Sequence, residues 1–310
     1  MKTCFLFPGQ GAQNVGMGKD LYEKYEEIRK VYEKASNITG IDIADLSFNQ
    51  NEEILSQTKN TQISILTMCL GILKILENNN INPEMAAGLS LGEYSALAAA
   101  KAISFEDSIK IVQKRGEYMQ DLVPKGDWAM AAVIGLEDEK VNEVCEKITK
   151  GFAVPANYNC PGQVAVSGDK EGIEELIDKA KTAGAKRVIE LKTGGPFHTE
   201  KLKAASVALR KELEKIEIQS PKFKVFKNID AKPYTETDDM IDILSKHVIN
   251  PVRFSETIEN MLASGIDTFI EIGPGKVLTG FVKKINKDVN CININSSESL
   301  EEALDYLKNS

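Results

Sequence analysis

The chain has 310 residues, more than the common single-domain size of about 100–150, so one large core or two units is expected and mini-protein classes are excluded. With 42% hydrophobic and 27% charged residues it can bury about three quarters of its unfolded surface, which excludes wholesale disorder. A net charge of −8 and a pI near 5.1 repel polyanions, so nucleic acid is not an expected partner.

From the N-terminus, the apolar run Thr3 to Phe7 stops at Pro8-Gly9-Gln10-Gly11, which predicts a buried strand ending in a tight loop. The run is too short for a signal peptide, and no later run approaches a membrane span. A helix is expected over Asp20 to Ala35, and residues 61–77 are apolar enough for a buried one. Met85 to Gly88 predicts a short strand leading straight into a helix from Glu93 to Ala102, a strand, turn and helix unit centred on Ser90. Ser104 with Asp107 resembles a capping box opening a helix that runs to about Leu122, before Pro124 and Gly126 break it.

Next come a strand (Met130 to Ile134), a helix (Glu137 to Ile148), strands near Ala153 to Ala156 and Val164 to Ser167, a helix (Gly172 to Ala183) and a strand (Arg187 to Leu191). The order βαββαβ is that of a ferredoxin-like unit, and Pro124, Gly126, Gly194, Gly195 and Pro196 flank it. A subdomain over 126–193 is therefore expected, inserted into a larger α/β core formed by 1–125 and 194–310. A helix (Glu200 to Ile216), a short strand (Lys224 to Asn228), a helix after Pro251 and a strand (Thr268 to Ile272) before Gly273-Pro274-Gly275 then restore the α/β alternation. Five cysteines with no CxxC suggest neither a disulfide framework nor a zinc site. A soluble, unexported, cytoplasmic protein without a membrane partner is expected; the oligomeric state is left open, with a monomer favoured.

The glycines near the N-terminus do not make a dinucleotide fingerprint, because Asn14 stands where the third glycine belongs. Gly275-Lys276 likewise fails as a P-loop, with Val277 in place of Ser or Thr. Gly88-Leu89-Ser90-Leu91-Gly92 does match the nucleophile elbow GxSxG, in which small residues allow a sharp bend that lifts the serine above a sheet. The string alone is a weak signal; the apolar strand before it and the alanine-rich helix after it strengthen it, placing amides at a helix N-terminus where they could hold an oxyanion. A serine nucleophile needs a base titrating near neutrality, and the chain has only His198 and His247. His198, at a loop-to-helix junction, is favoured over His247, which sits in a helix tail among apolar neighbours. Neither HExxH nor a clustered His/Asp/Glu set appears, so no metal is expected. Arg115 shares a helix face with Ile111, Val112, Met119 and Ile109, and so points inward. A buried guanidinium needs a carboxylate, either an internal Asp or Glu or an acidic substrate held bidentately.

Together, Phe5 to Gln13 (FLFPGQGAQ), Gly88 to Ala96 (GLSLGEYSA), Gln113 to Gly116 (QKRG), Asn159 to Gly168 (NCPGQVAVSG) and Gly195-Pro196-Phe197-His198 resemble the malonyl-CoA:acyl-carrier-protein transacylases of fatty acid synthesis. The likeness spans nearly the whole chain. It implies an α/β-hydrolase-like core with a parallel sheet and an inserted ferredoxin-like subdomain, with no cofactor. It also implies that Ser90 attacks the malonyl thioester, that His198 takes its proton, and that the backbone amides of Gln10 and Leu91 form the oxyanion hole. Arg115 would clamp the malonyl carboxylate, and acyl carrier protein would receive the group in a ping-pong cycle. The family orients its histidine by a backbone carbonyl before Asn-Pro, here in His247-Val248-Ile249-Asn250-Pro251, with His247 standing where glutamine is usual. Leu89 replaces a histidine that is not the base, so the change bears on the hydrogen bonding that steadies the elbow. Gln62 and Asn159 match cleft-lining positions with no chemical step assigned. Bulky Leu91 and Phe197 accompany malonyl rather than methylmalonyl selection in related acyltransferases, since they crowd the substrate α-carbon.

Two rivals are a serine thioesterase, which has no need of Arg115, and a degenerate module that only docks the carrier, against which both Ser90 and His198 argue. The residues leave open whether the carrier serves fatty acid or polyketide synthesis. Lys283, Lys284 and Lys287, or Lys181, Lys186 and Arg187, could form a basic docking patch, but a solvated charged face is the simpler reading.

Overall fold

The computed structural model describes residues 1–192 and 195–309. Ten strands lie among them: β1 (Thr3–Phe7), β2 (Met85–Gly88), β3 (Trp128–Ile134), β4 (Ala153–Cys160), β5 (Gln163–Asp169), β6 (Arg187–Leu191), β7 (Lys224–Val225), β8 (Val252–Arg253), β9 (Thr268–Ile272) and β10 (Asn290–Ile294). They form two five-stranded sheets, ordered β10-β9-β1-β2-β7 and β6-β3-β5-β4-β8.

The first sheet is parallel throughout. Its central strands are buried along their whole length, as TCFLF, MAAG and TFIEI must be when helices cover both faces. The almost wholly buried helix Thr58–Asn78 and the helix Phe105–Asp121 fill one side. Phe254, Ile258, Leu278 and Val282, from the last third of the chain, fill the other. Strand order reverses at β1, so the loops after β1, β2 and β9 meet at the carboxyl edge, where open α/β sheets form their crevices.

In the second sheet β3 pairs antiparallel with β5 and β6, β4 antiparallel with β5, and β8 parallel with β4. Alternation along β3 decides its two faces: Ala131 and Val133 pack under the helices Asp138–Glu146 and Lys170–Thr182, whereas Met130 joins the main core with Ala156 and Ala165. The protein is thus a mixed α/β structure with a parallel sheet and a second, mainly antiparallel one. The expected boundary between residues 193 and 194 lies outside the described residues.

Several elements differ in extent from the sequence expectation. The helix expected over Asp20 to Ala35 is two, Lys19–Lys24 and Glu26–Thr39, parted by an extended Tyr25 at φ −112°, ψ 119°. The helix expected from Glu200 opens with a single 3-10 turn, Glu200–Leu202, and becomes α-helical over Lys203–Leu213. The strand expected over Lys224 to Asn228 keeps its ladder with β2 only at Lys224 and Val225; Phe226 N still donates to Ala86 O at 3.0 Å while Phe226 bridges antiparallel to Pro233, and the chain then turns across the end of β2.

Candidate functional site

The turn after β2 is a tight one. Leu89 N donates to Phe7 O at 3.0 Å, Ser90 adopts a left-handed φ of 53°, and a helix begins at Gly92. Glycine is demanded on both sides: a Cβ on Gly88 would lie 1.9 Å from Gly92 C, and one on Gly92 would lie 2.0 Å from Phe7 O. Leu89 points its side chain into the apolar cluster around Leu6, Phe226 and Phe254 and offers the turn no hydrogen bond. Asn228, just beyond β7, supplies it: Oδ1 accepts from Ser90 N at 2.7 Å and Nδ2 donates to Gly88 O at 2.7 Å.

Ser90 Oγ lies 2.8 Å from His198 Nε2 and accepts from Arg115 Nη2 at 3.0 Å. His198 Nδ1 faces two carbonyl oxygens, those of His247 at 3.1 Å and Asn250 at 3.0 Å. Two acceptors require Nδ1 to carry the proton, which leaves Nε2 as the acceptor for the serine hydroxyl. Burial first, and the Arg115 charge second, push His198 down to about 4 against the pull of the two carbonyls. His198 therefore stands neutral at pH 7. Such a hydroxyl can hand its proton to Nε2 as it attacks a carbonyl carbon.

Arg115 is 1% exposed, donates through Nη1 to Gln62 Oε1 at 2.6 Å, and stands over the Tyr94 ring at 5.4 Å. Its Nε has no hydrogen-bond partner among the described residues. Glu93 is near enough to be felt electrostatically, yet no carboxylate pairs with the guanidinium among the described residues, so the internal ion pair weighed as its alternative is absent. The site thus holds a desolvated cation at the nucleophile with coordination to spare.

Gln10, Gln62, Ser90, Leu91, Arg115, Asn159, Phe197 and His198 all line one cleft of about 250 Å³. Leu91 is the N-cap of the helix Gly92–Ala99, and neither its N–H nor that of Gln10 has an acceptor within the chain among the described residues. Asn159 Oδ1 is buried without a hydrogen-bond partner among the described residues. Met119, Met130 and Phe197 give the cleft an apolar wall. A larger groove of about 780 Å³ between the helices Glu26–Thr39 and Thr58–Asn78 carries scattered lysines and carboxylates that converge on nothing. Of the lysines considered for docking, Lys283 turns back onto the carbonyls of Lys287 and Val289, and Lys284 donates to Gln163 Oε1 at 2.8 Å.

His247 does not line the cleft. It stacks behind His198 at 5.3 Å between ring centroids, wholly buried, with neither ring nitrogen hydrogen-bonded among the described residues. Burial above all, helped by the charges of His198 and Arg115, holds it well below the usual histidine range. Glu93 Oε2 stands 3.6 Å from its Nδ1, and burial raises Glu93 to about 7 against bonds from Tyr234 and Asn228. Asn228 and Tyr234 have no local signal in the sequence and depend on which strand lies beside β2, whereas Glu93 falls within the stretch Gly88 to Ala96 and Asn250 stands before Pro251, with no role for either side chain legible from sequence.

The chain matches the acyl transferase domain family over residues 4–300. It is 42% identical over 309 residues to the malonyl CoA-acyl carrier protein transacylase of Bacillus subtilis (strain 168), covering 99% of this chain and 98% of that protein. It is 42% identical over 302 residues to the protein of that name from Staphylococcus aureus (strain MRSA252), covering 97% of each. The crystal structure of the malonyl CoA-acyl carrier protein transacylase from Clostridium perfringens superposes with a TM-score of 0.95 at 44% identity, covering 100% of this chain and 98% of that one. A type II polyketide-synthase acyl-carrier protein in complex with its malonyl-transacylase gives a TM-score of 0.95 at 36% identity, covering 99% and 100%.

Proposed function

Because the chain belongs to the acyl transferase domain family, we propose that it carries a malonyl group on Ser90 between malonyl-CoA and acyl carrier protein. The protein is an acyltransferase, a malonyl-CoA:acyl-carrier-protein S-malonyltransferase supplying fatty acid synthesis. In the first half-reaction Ser90 Oγ attacks the malonyl thioester carbon while His198 Nε2 takes its proton, and the Gln10 and Leu91 N–H groups receive the developing oxyanion. Collapse expels coenzyme A as the thiol, protonated by His198. The phosphopantetheine thiol then gives a proton to His198 and attacks the malonyl-serine ester, which returns the hydroxyl. The carbonyl of His247, together with that of Asn250, holds the imidazole in the working tautomer. Arg115, freed from Ser90 Oγ, pairs with the malonyl carboxylate while Gln62 fixes its other nitrogen.

The observation that carries this reading is the Ser90 hydroxyl held between a neutral imidazole at 2.8 Å and an uncompensated guanidinium at 3.0 Å. A thioesterase for plain acyl groups would gain nothing from that cation. Leu91 and Phe197, buried beside the nucleophile and the base, leave little room at the α-carbon and favour malonyl over methylmalonyl. Asn159 lines the same cleft.

We further read the core, 1–125 with 194–310, as α/β-hydrolase-like and 126–193 as a ferredoxin-like insertion. The strand order β6-β3-β5-β4 with a helix after β3 and another after β5 supports this. Five unpaired cysteines suit a cytoplasmic setting, and among the described residues no helix is long and apolar enough to cross a membrane.

Intact mass after mixing with malonyl-CoA tests the reading. A malonyl adduct should form on the wild type and not on Ser90→Ala, and His198→Ala should acylate about 100- to 10,000-fold more slowly. An adduct surviving in Ser90→Ala would refute the assignment.

A further inference from the structure

We propose that Asn228 is a positioning residue of the nucleophile elbow, its side-chain amide fixing the Ser90 backbone from both sides while Glu93 anchors Asn228 in turn. The inference rests on the reading of Ser90 as the attacking group. Ser90 is a non-glycine residue at φ 53°, a conformation that must be held by its surroundings. Leu89 contributes no polar side chain to hold it. The Asn228 amide spans the turn, donating to the carbonyl before the bend and accepting from the N–H after it, each at 2.7 Å. A planar group with one donor and one acceptor is what this bridge requires. The bridge takes up the Ser90 N–H, which is therefore not available to an oxyanion, whereas the N–H groups of Gln10 and Leu91 have no acceptor among the described residues.

Asn228 is itself immobilised. Its N–H donates to Glu93 Oε2 at 3.0 Å and its carbonyl accepts from Arg253 N at 2.8 Å. Tyr234 OH donates to the second Glu93 oxygen. Glu93 belongs to the first turn of the helix that Ser90 leads into, so elbow, Asn228 and helix close into one buried ring. Loss of the bridge frees the Ser90 peptide planes and displaces Oγ from His198 Nε2, whereas Arg115 and Gln62, on other helices, keep their places. The expected signature is slower chemistry with unaltered substrate binding.

The test compares the full chain with Asn228→Ala, Asn228→Asp, Glu93→Ala and Glu93→Gln. Three quantities are measured: the rate of Ser90 labelling by a fluorophosphonate, single-turnover acylation by malonyl-CoA with its half-saturation, and the melting temperature. Both Asn228 variants should label and acylate about 10- to 100-fold more slowly, with half-saturation essentially unchanged. Asp preserves shape and the acceptor but turns an oxygen toward Gly88 O. Glu93→Gln should recover much of the rate lost in Glu93→Ala, because an amide oxygen still accepts from Asn228 N. Wild-type rates in a folded Asn228→Asp would overturn the proposal. So would a parallel shift of rate and half-saturation, or unfolding of both Asn228 variants, each of which marks a purely structural residue. A wild type labelled by the phosphonate but not by malonyl-CoA would sink the malonyl reading alone, leaving the labelling rates to judge the bridge.

Discussion

Arg115 and His198 are coupled through the hydroxyl they share, and the coupling sets two expectations. Among the described residues Arg115 is the only cation bonded to Ser90 and is held in no ion pair, so in Arg115→Ala the fold should survive. Malonyl transfer should fall at least about 100-fold, because the substrate carboxylate would be buried unpaired, while acetyl transfer is spared or raised. Competing the two thioesters in one assay reads this directly; equal loss of both would make Arg115 structural. The second expectation concerns pH. Burial and the Arg115 charge push folded His198 down to about 4 from the ordinary histidine value of 6.5, so between these values the unfolded chain binds more protons. Its contribution to stability is therefore complete above 6.5 and is lost as pH falls toward 4. The acid limb of the acylation profile should have its midpoint well below 6.5, and in Arg115→Ala, followed with acetyl-CoA, that midpoint should rise because one of the two causes of the shift is gone. A limb centred at 6.5 in the wild type would contradict the burial of His198.

At the scale of elements, the elbow works because β1, β2 and the helix Gly92–Ala99 approach more closely than any side chain allows. Gly92→Ala would drive a methyl into Phe7 O and Gly88→Ala one into the Gly92 peptide. Each should cost more than about 4 kcal/mol, read as a collapsed denaturant midpoint, since backbone on both sides leaves nothing flexible to yield. A mild loss would mean that the turn can open. The same packing makes β1, β2 and β9 legible in the sequence with their observed limits: each is a short, wholly buried run that ends in or at glycine or proline. Polar or irregular segments were less legible. Tyr25 breaks a helix whose composition gives no breaker, and β10, with Asn290 and Asn293 in five residues, is an edge strand lacking the apolar signal that marks its neighbours.

For the whole molecule, the question is whether the second sheet behaves as a separate body. Its own core under two helices argues for autonomy, but Met130, Ala156 and Ala165 lie in the main core and β8, from Val252–Arg253 much later in the chain, extends its edge. The shared core should win, giving one cooperative transition. Trp128, the single tryptophan, opens β3 and reports on the second sheet, whereas most helices lie elsewhere. Heating followed by tryptophan fluorescence and by far-UV circular dichroism should give coincident midpoints; separated midpoints would make the second sheet with its helices an independent unit.

The sequence by itself determined the alternation of strands and helices, the serine elbow, the pair of histidines from which a base could come, and the inward face of Arg115, because each is a matter of local pattern or simple count. Only the tertiary structure decided which groups meet. Ser90 and His198 are 108 residues apart, and the chain folds back a further 49 residues on to bring the His247 carbonyl to Nδ1. That no carboxylate pairs with Arg115 among the described residues could not be read from a chain rich in acidic residues. Asn228 sits against the elbow because β7 pairs with β2 across the sheet. Such contacts follow from strand order and register, which no local stretch of residues encodes.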